Sequence, residues 1–181
     1  TKAIVLVHLY GQVRQMDEWV KFCEENKIIL IEDCAQAHLA TWQGKVSGSF
    51  GQAGAYSFYP TKNLGAVGDA GMLVTSDSTL AKKARRLRNY GQSERYLHPV
   101  IGMNSRLDEV QAAMLSERMK WLLEFTKRRR QIADKYHSKI DNPHVKLLIK
   151  PEQKSAHVYH LFVITCLQRD ALQTHLLKKG V

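Results

Sequence analysis

Acidic residues are scarce in this sequence: 17 Asp and Glu stand against 27 Lys and Arg in 181 residues, a formal net charge of +10. Cysteine and proline are scarcer, at 3 and 4. Three cysteines (Cys23, Cys34, Cys166) are an odd number without metal-ligand spacing, which excludes a disulfide framework and a zinc site and predicts reduced thiols in a cytoplasm. No long uncharged apolar run occurs, which excludes a transmembrane helix and a membrane partner. Repeats and low-complexity tracts are also missing. The opening stretch, Thr1 to His8, has neither an initiator Met nor a signal-peptide layout. It begins at the edge of a strand and reads as cut from a longer chain.

The basic surplus raises the question of nucleic acid. It concentrates in Lys82-Lys83-Ala84-Arg85-Arg86-Leu87-Arg88 and Lys127-Arg128-Arg129-Arg130. Both runs lie in helical patterns with apolar neighbours, so each reads as a solvated helix face. No zinc-finger spacing, RNA-recognition signature or aromatic-basic strand accompanies them, and no nucleic-acid partner is expected. A basic surface also suits a substrate carrying phosphates.

What is present is an alternation of strands and helices. Ala3 to Val7 predicts a strand buried on both faces. Met16, Trp19, Val20 and Cys23 recur at helical spacing, so a helix is predicted up to about Asn26. With the strand Ile28 to Glu32 this makes a βαβ unit and a parallel pair. His38 to Gly51 reads as an irregular connection. Strands are predicted at Ala53 to Phe58 and Gly71 to Thr75, and then a helix capped by Ser76 or Asp77 runs to about Asn89. Gly91 to Gly102 reads as loop. One long helix is expected from Leu107 to about Lys139, with Leu107, Val110, Met114, Leu122 and Phe125 along one face. Val145 to Ile149, Tyr159 to Leu167 and a helix from Asp170 to Lys179 follow. The predicted fold class is α/β, a mostly parallel sheet flanked by helices. Residues 1–120 are expected to form a large domain incomplete at its N-terminus. Residues 121–181 are expected to form a linking helix and the start of a smaller α/β domain.

The chemistry centres on Ser57-Phe58-Tyr59-Pro60-Thr61-Lys62-Asn63-Leu64-Gly65-Ala66. Pro60 cannot donate to a ladder and biases Tyr59 towards an extended conformation, so the chain leaves its strand there and holds Lys62 on a constrained loop. Upstream, Ile28 to Glu32 delivers Asp33 at the carboxyl end of a strand, where open α/β sheets place their ligands. A strand-end carboxylate with a loop lysine is the pairing that pyridoxal 5'-phosphate needs. The lysine forms the Schiff base and the carboxylate keeps the pyridinium nitrogen protonated. Cys34, beside Asp33, is expected to pack as a small hydrophobe, and His8 to be structural.

Glu32-Asp33-Cys34-Ala35-Gln36-Ala37-His38, Gly48-Ser49-Phe50-Gly51, the Lys62 stretch, Arg88-Asn89-Tyr90-Gly91 and Gly102 to Ala113 occur together and in order. In these the chain resembles the DegT/StrS-type sugar aminotransferases, pyridoxal-phosphate enzymes of fold type I. The resemblance implies Lys62 as the Schiff-base lysine and proton carrier, and Asp33 as the partner of the ring nitrogen. It implies Gln36 beside the phenolic oxygen and Ser57 on the cofactor phosphate. Asn104 would reach the phosphate of the neighbouring subunit in a homodimer with shared sites, and Arg106 would brace that loop. His38 is open between supporting Asp33, facing substrate and a structural role.

The implied reaction takes an amino group from L-glutamate to a keto group of a nucleotide-linked sugar, in cell-surface polysaccharide or glycoside biosynthesis. The motifs around His8 to Gln12, Arg88 to Ser93 and Asn104 to Glu109 resemble enzymes acting on dTDP-3-keto-6-deoxyhexoses; a 4-keto sugar is the alternative. Lys62 separates the chain from dehydratase relatives, which carry histidine there. Leu39 and Ala70 stand where the family has glycine, so both turns are expected to differ locally. The family's N-terminal segment and most of its C-terminal domain have no counterpart here. A non-catalytic remnant binding polyanions is therefore the contrasting expectation.

Overall fold

Residues 1–181 are described by a computed structural model. The apolar run Ala3–Val7 forms β1, and the amphipathic stretch behind it forms α1, Met16–Glu25. β2, Ile29–Asp33, runs parallel to β1, from Ala3 opposite Ile29 to Val7 opposite Asp33. The βαβ reading of the sequence therefore holds.

The connection from His38 to Gly51 is not irregular throughout. It contains an antiparallel hairpin of β3, Thr41–Trp42, and β4, Lys45–Val46. Its two-residue turn is Gln43-Gly44, with φ of 49° and 79°. Positive φ at both positions makes a hairpin turn that usually recruits Asn or Gly first. Glutamine in the first place hides the signal.

β5, Ala53–Ser57, lies parallel to β2, and β6, Gly71–Val74, returns antiparallel beside it. The sheet order is β1-β2-β5-β6. α2, Ser78–Leu87, is capped by Asp77, whose side chain accepts from the backbone N–H of Thr79 and Leu80 at 2.7 and 3.2 Å.

The long helix expected from Leu107 is two helices, α3 (Glu109–Met119) and α4 (Leu122–Lys139). At the break the bonds tighten, with Lys120 N–H reaching Glu117 O and Trp121 N–H reaching Arg118 O. Such three-residue turns end an α-helix without proline or glycine, and neither stands there. The predicted apolar face also differs, because Val110 (70% exposed) and Phe125 (44%) stay open while Leu115, Leu122, Thr126 and Ala133 are buried.

The C-terminal part is a small antiparallel pair, β7 (Val145–Leu147) with β8 (Ile164–Cys166), followed by α5 (Arg169–Lys178). The strand expected over Tyr159 to Leu167 thus shrinks to β8. What precedes it is a strap, residues 156–160, lying antiparallel to residues 10–13. Val13 N–H donates to Ala156 O at 2.8 Å, Val158 N–H to Gly11 O at 3.0 Å, and His160 N–H to Tyr10 O at 3.0 Å. Ala156 and Val158 enter the same core as Val13, Met16, Cys23 and Leu30. Gly11 permits this crossing: at φ 89°, a Cβ would lie 2.6 Å from Gln36 O and 2.7 Å from Val158 Cγ2.

The sheet has two unlike faces. Side chains alternate along a strand, so Ile4, Leu6, Leu30 and Glu32 point towards α1 and the core. Val5 (61% exposed), Val7 (50%), Ile29 (48%) and Leu73 (49%) point the other way and are uncovered. Asp33 shares their face, opposite Val7 in the register.

Candidate active site

Two adjacent acids end β2 and face opposite ways. Glu32 is fully buried and its carboxylate is completely engaged. Oε2 accepts from Gly48 N–H at 2.7 Å and lies 2.9 Å from His8 Nε2; Oε1 accepts from the N–H groups of Phe50 and Gly51 at 2.7 and 2.9 Å. Burial by itself raises a carboxyl pKa, but His8 and the three backbone donors outweigh it and leave Glu32 below its ordinary value. Glu32 thus holds the Gly48 to Gly51 turn and the end of β1 together. His8, Glu32 and Cys34 present ligand atoms within 4.8 Å of one another. Their capacity is spent, however: Glu32 is fully bonded, and burial with the neighbouring Glu32 charge pushes the Cys34 thiol up to about 12, far from a thiolate. Cys34 and His8 are structural, as the sequence suggested.

Asp33 stands on the open face. Its Oδ1 accepts from Ala35 N–H at 3.0 Å, and its other oxygen has no partner in the chain. Asp33 pairs with Ala55 in the register, and Ser57 lies two residues further on the same face, at the carboxyl end of β5. Ser57 Oγ accepts from Tyr59 N–H at 3.2 Å, leaving its own hydrogen free to donate. The lysine loop then closes on itself. Lys62 N–H reaches Tyr59 O at 2.8 Å, Ala66 N–H reaches Phe58 O at 2.7 Å, and a Cβ at Gly65 would lie 2.5 Å from Pro60 O. The Lys62 side chain is half-buried and takes part in none of the chain's ion pairs.

Gln36 is fixed by its oxygen. Tyr10 N–H donates to Oε1 at 2.5 Å, which turns the amide Nε2 outward as an unspent donor. His38 is 4% exposed, packs at 5.3 and 5.7 Å from the rings of Tyr56 and Phe58, and neither ring nitrogen has a hydrogen-bond partner. Burial, then the charges of His160 and Lys62, lower its pKa to about 4. Leu39 takes φ 67°, a left-handed conformation that glycine adopts more cheaply. Ala70 is not among the residues with positive φ and carries no such cost.

Asn104 is exposed, and its side chain bonds to none of these residues. Its backbone forms an isolated bridge with Asn89. Arg106 braces that loop as expected, with Nη1 3.4 Å from Asn89 Oδ1 and the guanidinium 5.4 Å from the Tyr90 ring centre. Three residues that build the surroundings of the site escaped the sequence reading. Strand parity beside Asp33 was a usable signal for Glu32. Asn63 and His160 meet at 3.2 Å across 97 residues, a pairing that no local pattern announces.

Pyridoxal phosphate requires an amine, an anion for its ring nitrogen, and donors for its phenolic oxygen and its phosphate. Lys62, Asp33, Gln36 and Ser57 offer these four functions, each with capacity the chain itself leaves unused. The two orphaned nitrogens of buried His38 add polar groups awaiting a partner. The residues fit the cofactor.

The comparisons with known proteins agree. The dTDP-3-amino-3,6-dideoxy-alpha-D-galactopyranose transaminase of Aneurinibacillus thermoaerophilus is 46% identical over 181 residues, covering 100% of this chain and 50% of that protein. The UDP-N-acetyl-3-dehydro-alpha-D-glucosamine 3-aminotransferase of Acidithiobacillus ferrooxidans is 43% identical over 183 residues, covering 100% and 49%. The crystal structure of DesV from S. venezuelae, in complex with a ketimine intermediate, superposes with a TM-score of 0.94 at 41% identity, over 99% of this chain and 48% of that one. The chain spans about half the length of the curated relatives it matches. Its α/β architecture is that of fold type I pyridoxal-phosphate aminotransferases. The model of the DegT/DnrJ/EryC1/StrS aminotransferase family matches residues 1–181, the whole of the sequence, and the chain belongs to that family.

Proposed function

We propose that this protein is a pyridoxal-phosphate-dependent sugar-nucleotide aminotransferase. It moves an amino group from L-glutamate to a keto group of a nucleotide-linked deoxysugar, and the substrate we favour is a dTDP-3-keto-6-deoxyhexose. The observation that carries the reading is the set Asp33, Gln36, Ser57 and Lys62, each at or just beyond a strand's carboxyl end and each with an unused donor, acceptor or amine. The two relatives above, whose names place the amino group at C3, support that position on the sugar.

When bound, the cofactor supplies an electron sink for the carbon whose proton moves. Lys62 holds it covalently and afterwards carries that proton. Asp33 holds the ring nitrogen charged, Gln36 donates to the phenolic oxygen, and Ser57 donates to the phosphate. His38 stays neutral, its pKa lowered to about 4 chiefly by burial, and offers a hydrogen bond without competing for charge. We place the reaction in the cytoplasm, in line with three unpaired cysteines; no helix is long and apolar enough to cross a membrane.

Borohydride reduction of the full-length protein should fix a pyridoxyl group on Lys62, located by peptide mass. Lys62→Ala should carry none and turn over no substrate. A parent protein that leaves Lys62 unmodified would overturn the reading.

Asn104 acts in trans in this proposal, within a homodimer that also covers exposed Val110 and Phe125. Mixing Lys62→Ala subunits with subunits inactivated at Asn104 then leaves one intact site in each heterodimer. Activity should return to about half of wild type per heterodimer. No recovery after proven subunit exchange would assign Asn104 to its own chain's site.

A further inference from the structure

Tyr10 holds a left-handed conformation, φ 59°, which a residue other than glycine keeps only where its surroundings impose it. Here they act from both sides. The Tyr10 carbonyl accepts from His160 N–H of the strap at 3.0 Å, and Tyr10 N–H donates to Gln36 Oε1 at 2.5 Å. A backbone N–H only donates, so the carboxamide oxygen faces Tyr10 and Nε2 points elsewhere. No other hydrogen bond within the chain uses the Gln36 side chain. The strap itself bends at Tyr159, φ 48°, and two adjacent guanidinium groups of α4 hold the bend. Arg129 Nη1 spans the carbonyls of Tyr159 and His160, at 3.1 and 3.4 Å. Arg130 Nε donates to His157 O at 2.9 Å, and its Nη2 to Ser155 O at 3.1 Å. Neither arginine joins an ion pair, so both are given over to these carbonyls. Direct hydrogen bonds therefore run without a gap from α4, through His160 and Tyr10, to Gln36.

We propose that Arg129 is a positioning residue for the cofactor site: it holds the strap against Tyr10, whose N–H then sets the Gln36 amide with Nε2 towards the phenolic oxygen of pyridoxal phosphate. The inference rests on the aminotransferase reading above. Released from the strap, Tyr10 relaxes to negative φ and its N–H swings away from Oε1. The Gln36 amide is then free to rotate and to present either end to the cofactor. Gly11 keeps the three parts close, since a Cβ there would lie 2.6 Å from Gln36 O and 2.7 Å from Val158 Cγ2. A donor on the phenolic oxygen favours its charged form. What α4 controls is therefore how readily that oxygen carries charge, although Arg129 itself touches only the strap.

Two measurements on the full-length protein test this. The first is hydrogen exchange in the apoprotein. In Arg129→Met the Tyr10 and His160 amides should exchange about tenfold faster, with the amides between β1 and β2 at their parent rates. The second is the pH titration of the absorbance of added pyridoxal phosphate, read as a double-mutant cycle. Gln36→Leu should raise the midpoint by about one pH unit, the share of one hydrogen bond to a charged oxygen. Arg129→Met should raise it too, and the double variant should rise no further than Gln36→Leu alone. Arg129→Lys keeps the charge without the planar fork and enters the same cycle if the methionine variant does not fold. Additive shifts, a parent midpoint in the Arg129 variant or in Gln36→Leu, or unchanged Tyr10 exchange overturn the inference while leaving the aminotransferase reading in place. Failure of the parent protein to modify Lys62 overturns both.

Discussion

The two faces of the β1-β2-β5-β6 sheet are built from interleaved residues of the same strands, yet they follow opposite rules. On the packed face the one acid is fully satisfied: Glu32 makes four hydrogen bonds and has no solvent exposure. On the open face Asp33 and Ser57 keep unused hydrogen-bonding capacity, and Val5 and Val7 have no cover. A buried carboxylate left unpaired would be expelled from the core or protonated. The bonds around Glu32 are therefore what allow an acid on the core side of β2, and they leave it no chemistry to perform. Asp33 is one residue away and free. Full engagement marks Glu32 as structural, and spare capacity is what the proposed role of Asp33 uses.

That contrast is broken most forcefully at Asp33. In the proposed function, Asp33→Asn removes the charge that would hold the ring nitrogen protonated, where an opposite charge shifts a pKa by about 1–3 units. Turnover of the full-length enzyme should fall by orders of magnitude while its denaturation curve stays in place; steady-state kinetics beside urea titration measure both. Glu32→Ala should do the reverse at the level of the fold. It strands three N–H donors and His8, and breaking a buried pair of this kind costs about 3–5 kcal/mol, read from the denaturation midpoint.

The smallest effect concerns His38. Its folded pKa of about 4 lies below the ordinary 6.5, so between those values the unfolded chain binds a proton that the folded one does not. Stability should be unaffected above pH 6.5 and fall as pH drops towards 4, by roughly 3 kcal/mol at most from this residue. His157, also buried and lowered to about 4, adds a parallel slope. His38→Phe should flatten the pH dependence of unfolding by one residue's share. An unchanged slope would mean that a partner compensates the imidazole.

Much of this was legible before any coordinates. Short apolar runs with a helical period between them specify β1, α1 and β2, and Pro60 marks where Lys62 leaves the sheet. The errors have particular causes. The β3-β4 hairpin turns on Gln43 in a left-handed conformation that glutamine rarely signals. The break at Lys120-Trp121 uses tightened hydrogen bonds in place of a helix-breaking residue. Leu39 holds a left-handed conformation without being glycine. Its φ of 67° goes with a side chain packed against both core clusters. Packing overrode the local preference. The Asn63–His160 contact depends on the strap lying beside residues 10–13, a tertiary event without local signature.

The most direct test sets the two acids side by side in the full-length protein, as Asp33→Asn and Glu32→Gln. Each variant is measured for unfolding free energy and for the pH titration of the absorbance of added pyridoxal phosphate, which the proposed function places on Lys62. The division of labour predicts that Asp33→Asn shifts the optical titration and leaves unfolding unchanged. Glu32→Gln should lower unfolding stability by about 1–3 kcal/mol, since an amide cannot accept all four bonds, and should leave the optical titration unchanged. If Glu32→Gln moves the titration as far as Asp33→Asn does, or if both variants lose stability equally, the two faces do not divide structure from chemistry.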